Sequence, residues 1–315
     1  MSSSDASVVP VLSYSPVVLS VPGRPVDLEL RVTAPVEGTG LPVILLSHGH
    51  GGSNNLSSLN GYGPLANAWA SQGFVVVQPT HLSSRTLSER VADVPGAPLF
   101  WRSRAEDMGH VLDRLDAIEK TVPLLAGRLD AAKVAVAGHS LGGFTASLLL
   151  GARVAEGGDG DFVDLAEPRI KAGVLLAAPG RGGDALNGPM AGIVPFFREV
   201  DFAAMTTPAL VVAGDKDDSR HFTDVGPQWH ADPYTLSTGP KALLTVFGGE
   251  HGLGGIAGYD VAETTDESPV MVDEVVRLTG AYLRSQLTPG DDAWPVACEA
   301  LAADSDAFGR IDMKN

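Results

Sequence analysis

The chain has 315 residues, of which 44% are hydrophobic and 19% are charged, and its formal net charge is −16 at pH 7. This composition is typical of a globular protein with a large core, and the negative charge argues against nucleic acid as a partner because like charges repel. The one cysteine, Cys298, rules out an intrachain disulfide. No apolar run has the roughly 18 residues that a membrane span needs.

The first residues, MSSSDASVVP, have neither the basic nor the apolar part of a signal peptide. We therefore expect a cytoplasmic protein, with secretion still open if a signal was removed. Because no change in composition divides the chain, we predict a single domain over residues 1–315 with its core at about residues 16–287. The sequence leaves the oligomeric state open.

The first predicted elements are an antiparallel pair of strands at residues 17–21 and 26–34. In the second strand apolar and charged residues alternate, which is typical of a sheet with one solvent-exposed face. The segments 42–48 (PVILLSH) and 73–79 (GFVVVQP) are instead apolar throughout. Such runs are typical of central strands in a parallel sheet, and a helix is predicted between them at residues 65–71.

A 3.6-residue period predicts an amphipathic helix over residues 101–118, whose solvent side carries Arg104, Asp107, Asp113 and Asp116. The alternation then continues, with predicted strands at 133–138, 170–177, 208–214 and 242–247 and predicted helices at 141–151 and 270–287. Alternating strands and helices imply right-handed crossovers. The predicted fold class is therefore α/β, with a doubly wound, mostly parallel sheet, an antiparallel N-terminal strand pair and helices on both faces.

Two segments interrupt this alternation. Residues 157–168 are acidic and rich in glycine, and residues 179–206 are rich in glycine and proline. The second segment follows a strand on the side where such sheets bind ligands, so it is either a surface loop or a lid or pocket wall. The tail, residues 288–315, is expected to be loosely packed, with Trp294 as an anchor.

The stretch AVAGHSLGGFTA, residues 135–146, places Ser140 in a G-x-S-x-G pattern between a predicted strand and a predicted helix. A sharp turn in that setting lifts the serine hydroxyl to the edge of the sheet. The glycines at 138 and 142 avoid a collision in so tight a turn, and the helix N-terminus adds partial positive charge. We predict that Ser140 is a nucleophile rather than part of a structural turn.

A serine nucleophile needs a base, and the base needs an orienting acid. His251, in the loop after the last predicted strand, is the predicted base. Three aspartates follow the preceding strand: Asp217 is preferred as the last residue of G-x-x-D, and Asp215 and Asp218 are the alternatives. The chain order Ser, Asp, His differs from the orders of the chymotrypsin and subtilisin proteases.

Hydrolysis through a serine also needs two N–H groups that stabilise a tetrahedral oxyanion. The backbone N–H of Leu141, directly after the nucleophile, is the first predicted donor. The second is the N–H of His50 in HGHGG, residues 48–52, where glycines allow the backbone to approach a substrate. A plain glycine-rich turn is the alternative for this HGHGG loop.

The motifs HGHGG, GHSLGG, GDKD and GEHG, each after an apolar strand, resemble those of the α/β-hydrolase superfamily over roughly residues 16–287. The HG-x-GG loop followed by a helix and GFVVVQPTH is similar to the dienelactone hydrolase-like branch. That branch includes platelet-activating-factor acetylhydrolase-like esterases, chlorophyllase-like proteins and bacterial cutinase-like polyesterases. The resemblance implies an α/β-hydrolase fold with a nucleophile elbow, a catalytic triad and an oxyanion hole.

The chain departs from some members of these families. Dienelactone hydrolases have a cysteine nucleophile where this chain has Ser140, and secreted polyesterases have a C-terminal disulfide that one cysteine cannot form. Epoxide hydrolases and haloalkane dehalogenases need an aspartate at the nucleophile position and are excluded.

No metal or cofactor is predicted, because His81, His110, His221 and His230 show none of the spacings of a metal site. Five aromatic residues have two interpretations, as core or as the lining of an apolar acyl pocket, and the core is preferred: Phe100, Trp101, Phe196, Phe197 and Trp229.

The sequence thus predicts a cofactor-independent serine carboxylesterase for a small-molecule ester with a short to medium acyl chain. Its catalytic residues are Ser140, Asp217 and His251, and its oxyanion donors are His50 and Leu141. Lactones, amides, carbamates, thioesters and polyesters are alternative substrates for the same residues. A non-catalytic binding module is the hypothesis from another class, and it is disfavoured because binding requires no ordered Ser, Asp and His.

Overall fold

A computed structural model describes residues 9–156, 161–258 and 261–315. Its strands are β1 (Val11–Leu19), β2 (Leu28–Pro35), β3 (Leu41–Ser47), β4 (Val75–Pro79), β5 (Leu129–His139), β6 (Arg153–Ala155), β7 (Phe162–Asp164), β8 (Ile170–Leu176), β9 (Val200–Asp201), β10 (Ala209–Gly214), β11 (Lys241–Val246) and β12 (Gly309–Lys314). Its α-helices are α1 (Gly63–Ser71), α2 (Trp101–Leu112), α3 (Leu115–Thr121), α4 (Leu141–Leu149), α5 (Asp232–Thr235), α6 (Pro269–Leu287) and α7 (Ala293–Ala303). Short 3₁₀ helices cover Arg85–Leu87, Gly183–Ala185, Ala191–Ile193, Pro195–Phe197, Phe202–Ala204 and Pro227–Ala231.

Nine of the described strands form one large sheet in the order β1-β2-β4-β3-β5-β8-β10-β11-β12. The central strands from β4 to β11 are parallel to their neighbours, whereas β1, β2 and β12 pair antiparallel at the edges. The prediction of an α/β protein with a large, mostly parallel sheet and flanking helices is confirmed. The short strands β6, β7 and β9 form a separate small sheet that the sequence pattern did not predict.

The central strands are buried on both faces, which explains their unbroken apolar sequences. In β3, Val43 and Leu45 belong to one hydrophobic cluster, and Ile44 and Leu46 belong to the other. Side chains of α2 and α4 complete the first cluster, and those of α1 and α6 complete the second. Full burial of a side chain such as Leu45 stabilises the fold by about 1.5–3 kcal/mol.

The helix predicted over residues 101–118 is interrupted, since α2 ends at Leu112 and α3 begins at Leu115. Asp113 and Asp116 are exposed as predicted. The prediction was wrong for Arg104 and Asp107, which are 0% and 1% exposed. Both side chains are buried because they bind polar groups of other segments, as described below, and helical periodicity carries no information about such partners.

The C-terminal tail is packed rather than loose. Helix α7 lies on α6, where the Trp294 and Tyr282 rings meet edge to face with centroids 5.2 Å apart. Strand β12 pairs with β11 along its whole length. Backbone hydrogen bonds hold this edge strand and most of its side chains stay partly exposed, so its sequence shows little hydrophobic pattern.

Two other predicted segments differ in extent from the structure. Strand β1 begins at Val11, before the predicted start at residue 17, and passes through an irregularity between Tyr14 and Val17. Of the acidic segment 157–168, residues 157–160 lie outside the described residues, and Phe162–Asp164 forms β7. Within the described parts of the chain, no helix combines the length and the apolar character that crossing a bilayer requires.

Candidate active site

Ser140 occupies a sharp turn between β5 and α4. Its φ of 55° and ψ of −122° lie in a region that costs a residue with a side chain about 1–3 kcal/mol. The turn also requires close backbone packing, because a Cβ on Gly142 would lie 2.0 Å from the backbone oxygen of Ser47. A Cβ on Gly138 would lie equally close, 2.0 Å, to the backbone oxygen of Gly142. Local glycines therefore permit the strained turn that projects the serine at the carboxyl end of the sheet.

Loops after neighbouring parallel strands bring two further side chains to this serine. Oγ of Ser140 lies 2.9 Å from Nε2 of His251, which follows β11. Nδ1 of the same histidine lies 2.9 Å from Oδ2 and 3.1 Å from Oδ1 of Asp217, which follows β10. Because a carboxylate only accepts, Nδ1 carries the proton, and Nε2 is free to accept from the serine hydroxyl. The three predicted residues thus form one hydrogen-bonded chain.

The geometry also separates the three aspartates that the sequence left open. Asp215 accepts a hydrogen bond from the backbone N–H of Gly248 at 2.8 Å, and Asp218 pairs with Arg220 at 2.5 Å. Of the three, only Asp217 contacts the imidazole of His251. Asp215 instead stabilises a turn, which is a common role for aspartate after a strand.

Asp217 and His251 each shift the pKa of the other in the direction that favours its charged form. Burial raises the pKa of Asp217, but the facing His251 and the hydrogen bonds to the carboxylate outweigh burial and leave its pKa far below the usual range. Burial likewise lowers the pKa of His251, and the charge and hydrogen bond of Asp217 outweigh it, so that this pKa is raised. The carboxylate therefore remains ionised and makes the imidazole a stronger base.

The two predicted oxyanion donors belong to residues that line the same cavity as Ser140. His50 and Leu141 both line the large cavity that also contains Ser140 and His251. The His50 side chain is held by a hydrogen bond from Nδ1 to the backbone oxygen of Ser83 at 3.1 Å. Among the described residues, neither backbone N–H donates to a protein acceptor. Both donors are therefore available to a ligand at the N-terminus of α4, where the helix dipole favours negative charge.

A buried network joins the HGHGG loop to the loop of His251. The backbone N–H of Gly49 donates to the hydroxyl oxygen of Tyr62 at 2.9 Å, and that hydroxyl donates to Nδ1 of His139 at 2.8 Å. Nε2 of His139 donates to the backbone oxygen of His251 at 2.7 Å. Burial lowers the pKa of His139 to about 3, so the ring is neutral and keeps this donor and acceptor pattern.

The buried side chain of Arg104 is hydrogen-bonded to the HGHGG loop. Its guanidinium donates to three hydroxyls and to one backbone oxygen, which belong to Thr145 (2.9 Å), Ser83 (2.5 Å), Ser47 (3.1 Å) and His48. The side chain has no solvent exposure, and burial lowers its pKa to about 9. A charge in this position stabilises the loop only because its donors are paired.

A second Ser-His-Asp arrangement lies beside Arg104. Oγ of Ser47 is 2.9 Å from Nε2 of His81, whose Nδ1 is 2.9 Å from Oδ2 of Asp107. Asp107 also pairs with Arg24 at 2.9 Å. Ser47, His81 and Asp107 are at most 1% exposed, so no substrate reaches them, and the arrangement stabilises the polar interior beneath the HGHGG loop.

The large cavity has a volume of about 760 Å³, and both apolar and polar residues line it. The apolar residues include Leu99, Met190, Ile193, Val194, Phe197 and Phe222, and the polar residues include Arg85, Lys216, Glu250 and Glu263. Four of these apolar residues come from segment 179–206, which therefore forms a wall of the cavity. A second cavity of about 340 Å³ shares His50, Gly51 and Arg85 with the first.

Of the five aromatic residues that the sequence assigned either to the core or to a pocket lining, two line cavities and three pack in or against the core. Phe197 lines the large cavity and Phe100 lines the smaller one. Trp229 is 1% exposed within the core, and the Trp101 and Phe196 rings stack on each other with centroids 5.7 Å apart. For these last three residues the core interpretation agrees with the structure.

Sequence reasoning missed several residues around the site: Tyr62, His81, Arg104, Asp107, His139 and His230. His139 has a sequence signal, since it occupies a variable position of G-x-S-x-G. The others come from several segments, with Arg104 and Asp107 both in α2, and these segments meet only in the folded chain. Among the described residues, one group of side chains is arranged so that it could jointly hold a metal ion, namely Asp217, His230 and His251.

Comparison with models of protein families finds no match for this chain, and comparison with curated proteins finds no similar sequence. Function is therefore inferred from the geometry of the site.

Proposed function

We propose that this protein is a cofactor-independent serine hydrolase of carboxylic esters with an α/β-hydrolase fold. The observation that carries the proposal is the hydrogen-bonded chain from Ser140 through His251 to Asp217 at the wall of a large cavity. Acyl transfer requires a nucleophile in contact with a base, an acid that orients the base, and space for a substrate beside them.

In this mechanism Oγ of Ser140 attacks the ester carbonyl while its proton passes to Nε2 of His251. Asp217 holds the imidazole in place and stabilises its positive charge. The backbone N–H groups of His50 and Leu141 bind the oxyanion. The imidazolium then gives its proton to the leaving alcohol oxygen, and an acyl-enzyme remains. A water molecule, deprotonated by the same nitrogen, cleaves the acyl-enzyme and restores the serine hydroxyl.

The cavity supports an ester of moderate size as the substrate. Its volume of about 760 Å³ lies within the range of roughly 300–1,000 Å³ that is typical of small-molecule sites. The apolar wall that includes Ile193, Val194 and Phe197 suits a short to medium acyl chain. Segment 179–206 would then determine acyl specificity.

Labelling with a fluorophosphonate probe tests the nucleophile directly. We expect the wild type to take one label and to hydrolyse p-nitrophenyl acetate. Ser140→Ala is expected to lose the label and about 10⁴-fold or more of the hydrolysis rate. Ser147→Ala, which removes a buried helical hydroxyl bonded to the backbone oxygen of Gly143, is the matched control and should label normally. Intact wild-type protein that takes no label would refute the proposal.

Rates across a series of acyl chain lengths, with a lactone and an anilide included, test the substrate class. We expect the highest kcat/KM for a short or medium acyl ester and a much lower one for the anilide. A lactone or anilide that exceeds every ester would replace the esterase assignment while leaving the roles of the three catalytic residues intact.

A further inference from the structure

Asp217 faces a second histidine that the proposed mechanism does not use. His230 is fully buried, and its Nδ1 lies 3.0 Å from the backbone oxygen of Ala178. Because a carbonyl oxygen only accepts, Nδ1 donates this bond, and Nε2 is the ring nitrogen left to bind a metal. That nitrogen lies 3.3 Å from Oδ1 of Asp217 and 3.0 Å from Oγ of Ser219. Nε2 of His230 therefore faces a carboxylate oxygen in the protein interior.

Two of the three spacings between these ligand atoms are those of a zinc coordination shell. With bonds of about 2.0–2.1 Å to nitrogen and oxygen, tetrahedral zinc places its ligand atoms about 3.3 Å apart. Oδ1 of Asp217 lies 3.3 Å from Nε2 of His230 and 3.1 Å from Nδ1 of His251. One ligand atom from each of the three residues lies within 4.8 Å of the others.

The surroundings of His230 also resemble those of a metal ligand. A zinc-bound histidine typically donates its other ring N–H to a backbone carbonyl or a carboxylate, which fixes the ring orientation. The bond from Nδ1 of His230 to Ala178 is of this kind. His251 provides an entry path, since its side chain is 38% exposed and it lines the large cavity.

We propose that Asp217, His230 and His251 form a binding site for zinc, and that zinc bound there inhibits the hydrolase. Two imidazole nitrogens and one carboxylate favour zinc over magnesium or calcium, which prefer oxygen ligands. Binding itself rests on the site geometry, and the inhibition rests on the proposed function.

The inhibition follows from the tautomer of His251. In the neutral metal-free ring Nδ1 carries the proton and Nε2 accepts from Ser140. Zinc takes the lone pair of Nδ1, so the proton of the neutral ring moves to Nε2. A protonated Nε2 cannot accept the proton of the Ser140 hydroxyl, and the serine is no longer activated. Removing zinc restores the original tautomer and hence the activity.

The test begins with full-length protein that has been treated with a chelator and transferred to metal-free buffer. Calorimetric titration with zinc chloride measures binding without reference to activity, and ester hydrolysis is measured in parallel. We expect one zinc per chain, loss of hydrolysis with the same concentration dependence, and recovery on addition of EDTA. Ser140→Ala keeps all three ligands and is expected to bind zinc as the wild type does.

Two histidine variants distinguish this site from adventitious binding. His230→Gln is expected to weaken zinc binding by about tenfold or more. Inhibition of this variant by zinc is measured relative to the hydrolysis rate of the same variant without metal. His221→Gln, a matched substitution in a cavity residue outside the ligand group, should keep the wild-type affinity. Should His230→Gln fail to fold, zinc X-ray absorption of the wild type gives the same answer, because the site requires two imidazole ligands.

The outcomes separate the two proposals. Zinc binding at one per chain in a protein that hydrolyses no ester would support the metal site and refute the esterase assignment. Ester hydrolysis without zinc binding would overturn the metal site and leave the esterase assignment intact. Unchanged zinc affinity in folded His230→Gln, or a single imidazole ligand in the absorption spectrum, would also overturn the metal site.

Discussion

The ring of His139 is hydrogen-bonded to the backbone of His251, with Nε2 of His139 2.7 Å from the backbone oxygen of His251. The residue before Ser140 thereby fixes the loop that carries His251. Because Nδ1 of the same ring accepts from Tyr62, which in turn accepts from Gly49, the constraint extends to the HGHGG loop. The position of His251 is thus coupled through two buried side chains to that of the HGHGG loop, which carries the proposed oxyanion donor His50.

Tyr62→Phe tests this coupling. The substitution leaves the Gly49 N–H and Nδ1 of His139 without partners, so we expect the free energy of unfolding to fall by about 1–3 kcal/mol. We also expect kcat to fall by about tenfold with little change in KM, since catalytic geometry and not substrate contact is lost. Tyr14→Phe, at a side chain that is 41% exposed, should change neither quantity. A stability loss with unchanged kcat would restrict Tyr62 to a structural role.

Asp217→Asn tests the choice among the three aspartates. Asparagine keeps the shape of the side chain but removes the charge that holds the proton on Nδ1 of His251, so kcat should fall by about 10³–10⁴-fold. Asp215→Asn and Asp218→Asn are matched controls, because neither carboxylate contacts the imidazole, and they should retain activity within about threefold. Steady-state kinetics of the three purified variants provides the comparison. A larger loss in either control than in Asp217→Asn would move the acid to that residue.

Gly142→Ala tests the tight packing behind Ser140. The new Cβ would lie 2.0 Å from the backbone oxygen of Ser47, so backbone must shift, and we expect a loss of about 1–3 kcal/mol in the free energy of unfolding. The same shift should reduce fluorophosphonate labelling of Ser140. Gly109→Ala is the matched control within α2, where a Cβ meets nothing within 4 Å. It should stabilise the protein by about 0.5–1 kcal/mol, and urea unfolding measures both variants.

The buried histidines predict an early loss of stability in acid. Burial lowers the pKa of His139 to about 3 and holds the pKa values of His48 and His81 well below the usual range. The unfolded chain therefore binds more protons below pH of about 6.5, and stability that is complete above this pH is lost as the pH falls towards the folded-state values. Three such groups give a slope of up to about 4 kcal/mol per pH unit.

Urea unfolding between pH 7.5 and 5 measures this slope, in a range above the titration of most carboxylates. A free energy of unfolding that stays constant between pH 7 and 5 would contradict neutral burial of the three rings.

The parts of the site that depend on residues close together in the sequence could be predicted, and the parts that depend on distant residues could not. The turn at Ser140 depends on neighbours within a few residues, and the sequence HSLGG between a strand and a helix was sufficient to predict it. The sequence preferred Asp217 over Asp215 and Asp218 from its place in G-x-x-D, but which of them contacts His251 depends on where a loop from β10 meets a loop from β11 in the folded chain. The tail was mispredicted because β12 is held by backbone hydrogen bonds, which leave no side-chain pattern.

By itself, the sequence determined the α/β class, the parallel central strands and the chain order of the serine, the aspartates and His251. These features follow from apolar periodicity and from local steric demands, both of which depend only on residues close together in the sequence. The tertiary structure decided that Arg104 and Asp107 are buried beneath the HGHGG loop, that His139 fixes the loop of His251, and that His230 faces Asp217. Each of these contacts joins residues from different elements or loops, so its energy depends on packing and burial that no local pattern encodes.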